Sequence, residues 1–101
     1  MKTKNKKTIS KDEFRQYKKS KHPTYIYAKV GNEYKFIGLT HAEVTQGVKN
    51  IKLDKNPNPK DNRPAFFRPK AEKDKVNKFK KKEKGWKFSK SDKQKISRYK
   101  K

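Results

Sequence analysis

The chain has 101 residues, with 32 Lys and Arg against 10 Asp and Glu and a formal net charge of +22. A chain of this length makes one small domain and buries only about 60 to 65% of its unfolded surface, and its 17 Leu, Ile, Val and Phe residues fall below the roughly 20% level at which high net charge begins to favour disorder. With no cysteine and only two histidines, a disulfide framework, a thiolate nucleophile and a zinc cage are excluded, and neither a metal nor another cofactor is expected.

Residues 1–9 are basic, lead into no apolar stretch and are expected to form a disordered tail. Ser10-Lys11-Asp12-Glu13 matches a capping box, with Ile9 and Phe14 as the hydrophobic staple, and predicts a helix over residues 11–19 that buries Phe14 and Tyr17. The restriction before Pro23 ends it by His22.

Residues 24–30 and 33–39 are rich in aromatic and β-branched side chains, and Gly31-Asn32 between them predicts a β-hairpin. With Val30 opposite Glu33, alternation places Tyr25, Tyr27, Tyr34 and Phe36 on one face and Ile26, Ala28, Val30, Ile37 and Leu39 on the other. The aromatic face serves either as core or as a platform on which bases of single-stranded RNA stack.

Thr40 to Glu43 repeats the capping-box pattern and predicts one or two helical turns that stop at Gly47. Residues 48–53 suit a third strand, residues 55–64 a loop rich in Asn, Pro and Asp, and residues 65–68 a short edge strand between Pro64 and Pro69. Residues 71–84 contain good helix formers and end at Gly85, which predicts a helix, but only Val76 and Phe79 mark an inner face, so it is a helix that can depend on binding to form. Trp86 and Phe88 mark an aromatic anchor that folds the arm back onto the domain, and a last helix beginning at Ser91 places Ile96 and Tyr99 on one face.

The expected architecture is α+β. A core domain over residues 10–69 has a small curved antiparallel sheet of three or four strands and an N-terminal helix, and residues 70–101 form a basic, largely helical arm.

The charge concentrates at the two ends. Residues 1–21 hold 9 basic and 2 acidic side chains, residues 22–69 hold 8 and 4, and residues 70–101 hold 15 and 4. A less charged middle between two cationic arms is the electrostatic footprint of a polyanion binder. Lysines 70, 73, 78, 80, 81, 82, 84 and 87 of the C-terminal arm, with Lys49 and Lys52, are the expected phosphate contacts, and Tyr25 and Tyr27 the expected base contacts. A solvated helix would intersperse acidic residues in similar number, and Glu72, Asp74 and Glu83 are too few. Lysine outnumbers arginine 28 to 4, which favours grip on a backbone over base readout. Nucleic acid is the expected partner, RNA ahead of DNA. A ribosome or an acidic protein also fits the charge. No run approaches the roughly 18 apolar residues of a membrane span, so a cytoplasmic protein is expected.

Imidazole is the side chain that changes charge near neutrality, which makes His22 and His41 the candidates for acid/base work. Cleavage of RNA without metal needs a general base for the 2′-hydroxyl, a general acid for the leaving 5′-oxygen and cations around the phosphorane. His41, Glu43, Arg63, Arg68 and Lys49 or Lys52 carry the required groups, with Arg63 and Arg68 able to clamp a single phosphate. No glycine-rich phosphate loop, nucleophile elbow or acidic magnesium cluster is present in the sequence.

Over residues 10–68 the order of helix, hairpin and further strands, with the basic tail beyond, resembles that of small endoribonuclease toxins of the RelE and barnase-like type. That resemblance implies metal-independent RNA cleavage, with His41, Arg63 and Arg68 as the catalytic positions. In composition the lysine-rich end also resembles ribosomal and nucleoid-associated proteins.

Overall fold

A computed structural model describes residues 7–100. The central hairpin forms as its turn residues dictate, and it sets the requirements that the rest of the chain meets. β2 (Pro23–Val30) and β3 (Glu33–Thr40) pair antiparallel with Val30 opposite Glu33, and Gly31 takes the positive φ of 62° that the tight turn requires.

Beyond the turn the register slips. Ala28 stands opposite Lys35, but Ile26 stands opposite Phe36, so β2 carries a bulge between them. A one-residue slip exchanges the faces of every residue past it. Tyr25 therefore joins Ile37 and Leu39 in one buried cluster, while Ile26 joins Tyr34 and Phe36 in another. The expected all-aromatic face does not exist, because strict alternation is broken at its midpoint.

Thr24, Tyr25, Ile26, Tyr27 and Ala28 are all buried, so both edges of β2 are shut off from water and both need backbone partners. β3 supplies one. The other cannot come from a helix, and the expected N-terminal helix is instead β1 (Thr8–Gln16), which pairs with β2 and sets Phe14 opposite Tyr25. Tertiary demand overrides the local capping-box signal. Of the basic tail expected over residues 1–9, the first six lie outside the described residues, and Thr8 and Ile9 open β1.

The same logic acts on the other side of the hairpin. The outer edge of β3 is taken by β7 (Phe66–Lys75), which extends the expected four-residue strand through a segment whose propensities favoured a helix. β6 (Ile51–Lys52) pairs with Phe66 and Phe67 and completes a five-stranded antiparallel sheet in the order β1-β2-β3-β7-β6.

The expected helical turns after Thr40 are absent as well. β4 (Val44–Thr45) and β5 (Val48–Lys49) form a separate hairpin, with Gln46 and Gly47 both at positive φ, 52° and 79°, the backbone of a type I′ turn. Asn50, 4% exposed, holds this hairpin in place. Its amide group donates to the Ala42 carbonyl at 3.0 Å and to the Thr45 hydroxyl at 2.8 Å, and its backbone N–H donates to the Glu43 carbonyl.

The C-terminal arm is not largely helical. After a 3-10 turn at Val76–Lys78 it runs extended along the outer edge of β1. The Lys18 N–H donates to the Lys78 carbonyl, the Lys80 N–H to Gln16 and the Glu83 N–H to Phe14, at 2.8 to 2.9 Å. This protects an edge that would otherwise be open to pairing with another chain. Gly85 turns the chain at φ 80°, and Trp86 and Phe88 then pack on Phe14 with ring centroids 5.7 and 5.0 Å away, the expected aromatic anchor. α1 (Lys90–Ser97) is capped by the Ser89 hydroxyl, which accepts from the Asp92 N–H. Ile96 is fully buried and Tyr99 meets Phe67 edge-on at 5.3 Å.

The two faces of the sheet thus carry separate cores. Phe14, Tyr25, Ile37, Leu39 and Phe67 lie under Phe88 and Ile96, while Ile26, Tyr34 and Phe36 lie under Phe79 and Tyr17. The protein is mostly sheet, with one short helix among the described residues, in place of the expected α+β arrangement. No helix among the described residues is long and apolar enough to cross a membrane.

Candidate nucleic-acid interface

The loop between β6 and β7 is held by short polar side chains that bond their own backbone. Asn56 Oδ1 accepts from the Asn58 N–H at 2.9 Å, Asn58 Oδ1 from the Lys60 N–H at 3.0 Å and Asp61 Oδ1 from the Arg63 N–H at 3.0 Å. These are successive Asx turns, the reason Asn and Asp recur in this loop. The Leu53 N–H donates to the Ala65 carbonyl and closes the loop at its base.

The last of these turns places Arg63 on Asp61. The guanidinium donates through Nε and one terminal nitrogen to the two carboxylate oxygens, at 2.9 and 2.7 Å, the bidentate geometry in which Arg and carboxylate match. This hydrogen bonding, reinforced by the Arg63 N–H, holds the Asp61 carboxyl well below the usual carboxylate range and raises Arg63 in turn. His41 completes the group. Its Nδ1 donates to the Pro64 carbonyl at 2.8 Å and its Nε2 lies 3.5 Å from Asp61 Oδ2, so both ring nitrogens face oxygen acceptors.

His22, His41, Asp61, Arg63 and Trp86 line one cleft of about 200 Å³, walled by Pro23, Leu39 and Ala65. The end of the hairpin contributes both histidines, since His22 precedes β2 and His41 follows β3. A second cleft of about 520 Å³ is lined by Lys60, Lys81, Lys82 and Lys84 against the single carboxylate of Glu83, and shares Asn58 and Trp86 with the first. A basic groove therefore leads past the one tryptophan into the histidine cleft.

Of the expected catalytic residues, His41 and Arg63 meet, while Arg68 lines an adjoining cleft with His22 and Thr40 and is absent from the lining of the one that holds Arg63. Among the expected phosphate contacts, Lys81, Lys82 and Lys84 come together in the basic cleft. Lys78, Lys80 and Lys87 are exposed nearby in sequence, Lys70 and Lys73 are exposed on β7, and Lys49 and Lys52 on β5 and β6. Tyr25 and Tyr27 are core residues, 2% and 8% exposed.

Asp61, Lys60, Asn58 and Trp86 were not among the expected site residues. The recurring Asn and Asp residues of the loop, and the spacing of Asp61 and Arg63, are the signal that points to the first three. No cluster of three or more His, Cys, Asp or Glu side chains able to hold a metal occurs among the described residues. No protein-family model, curated protein or solved structure matches the chain.

Proposed function

We propose that this protein binds the phosphate backbone of nucleic acid, RNA ahead of DNA, along the groove that joins the lysine-lined cleft to the histidine cleft. The observation that supports this reading most is the continuity of the two clefts through Asn58 and Trp86. The lysines supply point charges for phosphates, and Trp86, half-buried on Phe14, offers an aromatic surface to a base without regard to sequence. A net charge of +22 supplies the long-range attraction.

Titration with a fluorescent single-stranded octauridylate, read by anisotropy and by the emission of Trp86, tests the reading. If about six phosphates are neutralised, log K falls with log salt at a slope of roughly −4. An affinity indifferent to salt overturns it.

A second reading, metal-independent RNA cleavage, is favoured by the convergence of His22, His41 and Arg63 on one cleft. Acid, base and phosphate-binding cation are the three parts such a reaction requires. Incubation of the purified protein with structured RNA in EDTA decides between the two. Intact RNA leaves the binder, and cleavage abolished by His41→Ala establishes the nuclease.

A further inference from the structure

β7 is interrupted where it passes Gly38. Ile37 stands opposite Ala71 and Leu39 opposite Phe67, so Arg68, Pro69 and Lys70 together face Gly38 alone. Proline removes a ladder donor at this bulge, and bulges re-aim the side chains they carry. Gly38 leaves room for the result, since a Cβ built there would meet the Arg68 Cγ at 3.4 Å. The arginine stem lies over β3 at Gly38, and Arg68 lines a cleft of about 220 Å³ together with Tyr17, Ser20, His22, Thr45 and Glu72.

The Nε of Arg68 is buried and has no hydrogen-bond partner among the described residues. Buried donors in folded proteins are nearly always paired, and a guanidinium does not shed its proton to escape the cost. Three hydroxyls on the same cleft have a proton to offer. Ser20 Oγ accepts from the His22 N–H at 3.2 Å, Thr40 Oγ1 from the Ala42 N–H at 3.1 Å and Thr45 Oγ1 from the Asn50 amide at 2.8 Å, so each is already oriented and retains its own O–H as a donor. A fixed cation with an unused donor, beside three hydroxyls, suits a tetrahedral oxyanion. Glu72, exposed on the same cleft, disfavours a doubly charged guest and so selects a phosphodiester over a phosphomonoester.

We propose that this cleft is a second phosphate site, in which Arg68 holds one backbone phosphodiester of a strand whose next nucleotides occupy the cleft of His41 and Arg63. The two clefts share His22, Pro23, Leu39 and Thr40, so a strand leaving one enters the other. The assignment rests on the nucleic-acid reading above.

The test follows the Arg68 Nε–H resonance of the ¹⁵N-labelled full-length protein as octauridylate or inorganic phosphate is added, with Arg68→Gln to assign the signal. Octauridylate is expected to shift it. Arg68→Gln should weaken octauridylate binding about tenfold and make the salt slope shallower by roughly 0.7, and Arg68→Lys should recover only part of the affinity because it lacks the planar fork. An unmoved resonance at saturating octauridylate, with equal affinity of the Gln variant, overturns the Arg68 site while leaving backbone binding intact. Failure of the wild-type protein to bind octauridylate at all overturns the broader reading. A resonance that responds only to inorganic phosphate then reassigns the cleft to a free anion and overturns the backbone assignment. Because the resonance is read on the wild-type protein, the outcome does not depend on the variants folding.

Discussion

Asp92, on the first turn of α1, accepts a hydrogen bond from the backbone N–H of Asp54 at 2.8 Å and is itself 0% exposed. It takes a second from the Lys55 N–H at 3.1 Å, while the Asp54 carboxylate accepts in return from the Ser91 hydroxyl and from Lys95. The two aspartates lock the only helix of the described residues onto the start of the loop that carries Asp61 and Arg63. Replacing Asp92 by Ala leaves two amides without partners, and charge-assisted bonds of this kind are worth about 1.5 to 3 kcal/mol each. Asp92→Ala is expected to lower stability by about 3 kcal/mol, read as a fall of at least roughly 10 °C in the melting temperature. A shift of less than about 2 °C would show that the lock is dispensable.

Phe14 carries the most exposed consequence of β1 being a strand. It is 1% exposed and meets Tyr25, Trp86 and Phe88 at ring centroid distances of 5.3, 5.7 and 5.0 Å. Large-to-small changes at such positions cost about 3 to 5 kcal/mol, a large part of the total stability of a small domain. Phe14→Ala should unfold much of the protein at 25 °C and move the Trp86 emission to longer wavelength. Retention of the wild-type spectrum and melting curve would contradict the packing described for the aromatic anchor.

Burial, together with the hydrogen bond that Tyr17 donates to Asp74, pushes the Tyr17 phenol up to about 12. The folded value lies above the ordinary value of about 10, so the folded state holds this proton more tightly than the unfolded one. The associated stability is complete below about pH 10 and is lost as the pH rises towards 12. A ¹³C-tyrosine titration should show Tyr17 neutral at pH 11, and Asp74→Asn should bring its transition down. Ionisation of Tyr17 near pH 10 in the wild-type protein would refute the contact.

The Arg63 guanidinium depresses Asp61, and the sign of its effect is opposite. A lowered folded value means that the contribution is present above the ordinary carboxylate value of about 3.9 and is lost only as the pH falls through the lower folded value. The Asp61 carboxyl ¹³C signal should still report a carboxylate at pH 3, and Arg63→Gln should return its midpoint towards the ordinary range. An unchanged midpoint in that variant would show that the pair does not set the charge of the histidine cleft.

Lys81, Lys82 and Lys84 line the basic cleft together with Lys60. Neutralising the first three as Gln should make the salt slope of octauridylate binding shallower by roughly 2, since each phosphate contact on a single strand contributes about 0.7. The same change at Lys49, Lys70 and Lys73, which line neither the basic cleft nor the histidine cleft, should alter the slope by less than about half as much. Equal effects of the two triple variants would mean that the charge acts as a diffuse field without a groove.

Local chemistry was sufficient wherever a backbone conformation is decided by neighbouring residues. Gly31-Asn32 determined the central turn and the Val30–Glu33 pair, the Asn and Asp residues of the β6–β7 loop determined that it is a loop, and the charge of +22 determined the sign of the protein's own field. Tertiary structure decided everything that depended on which edges and faces are buried. The capping boxes at Ser10 and Thr40 and the helix formers of residues 71–75 are weak local preferences. At Ser10 and over residues 71–75 they yielded because no residue of β2 or β3 is exposed and their backbone groups required strands on both sides, while the segment after Thr40 closed into the separate β4–β5 hairpin. One bulge between Ile26 and Ala28 then exchanged the two faces of the hairpin, a change that residue alternation cannot reveal. The site followed the same division: the need for histidine, arginine and lysine was visible in composition, but only the closing of the β6–β7 loop against the hairpin end set His41 beside Asp61 and Arg63, and only the bulge over Gly38 turned Arg68 into a cleft of its own.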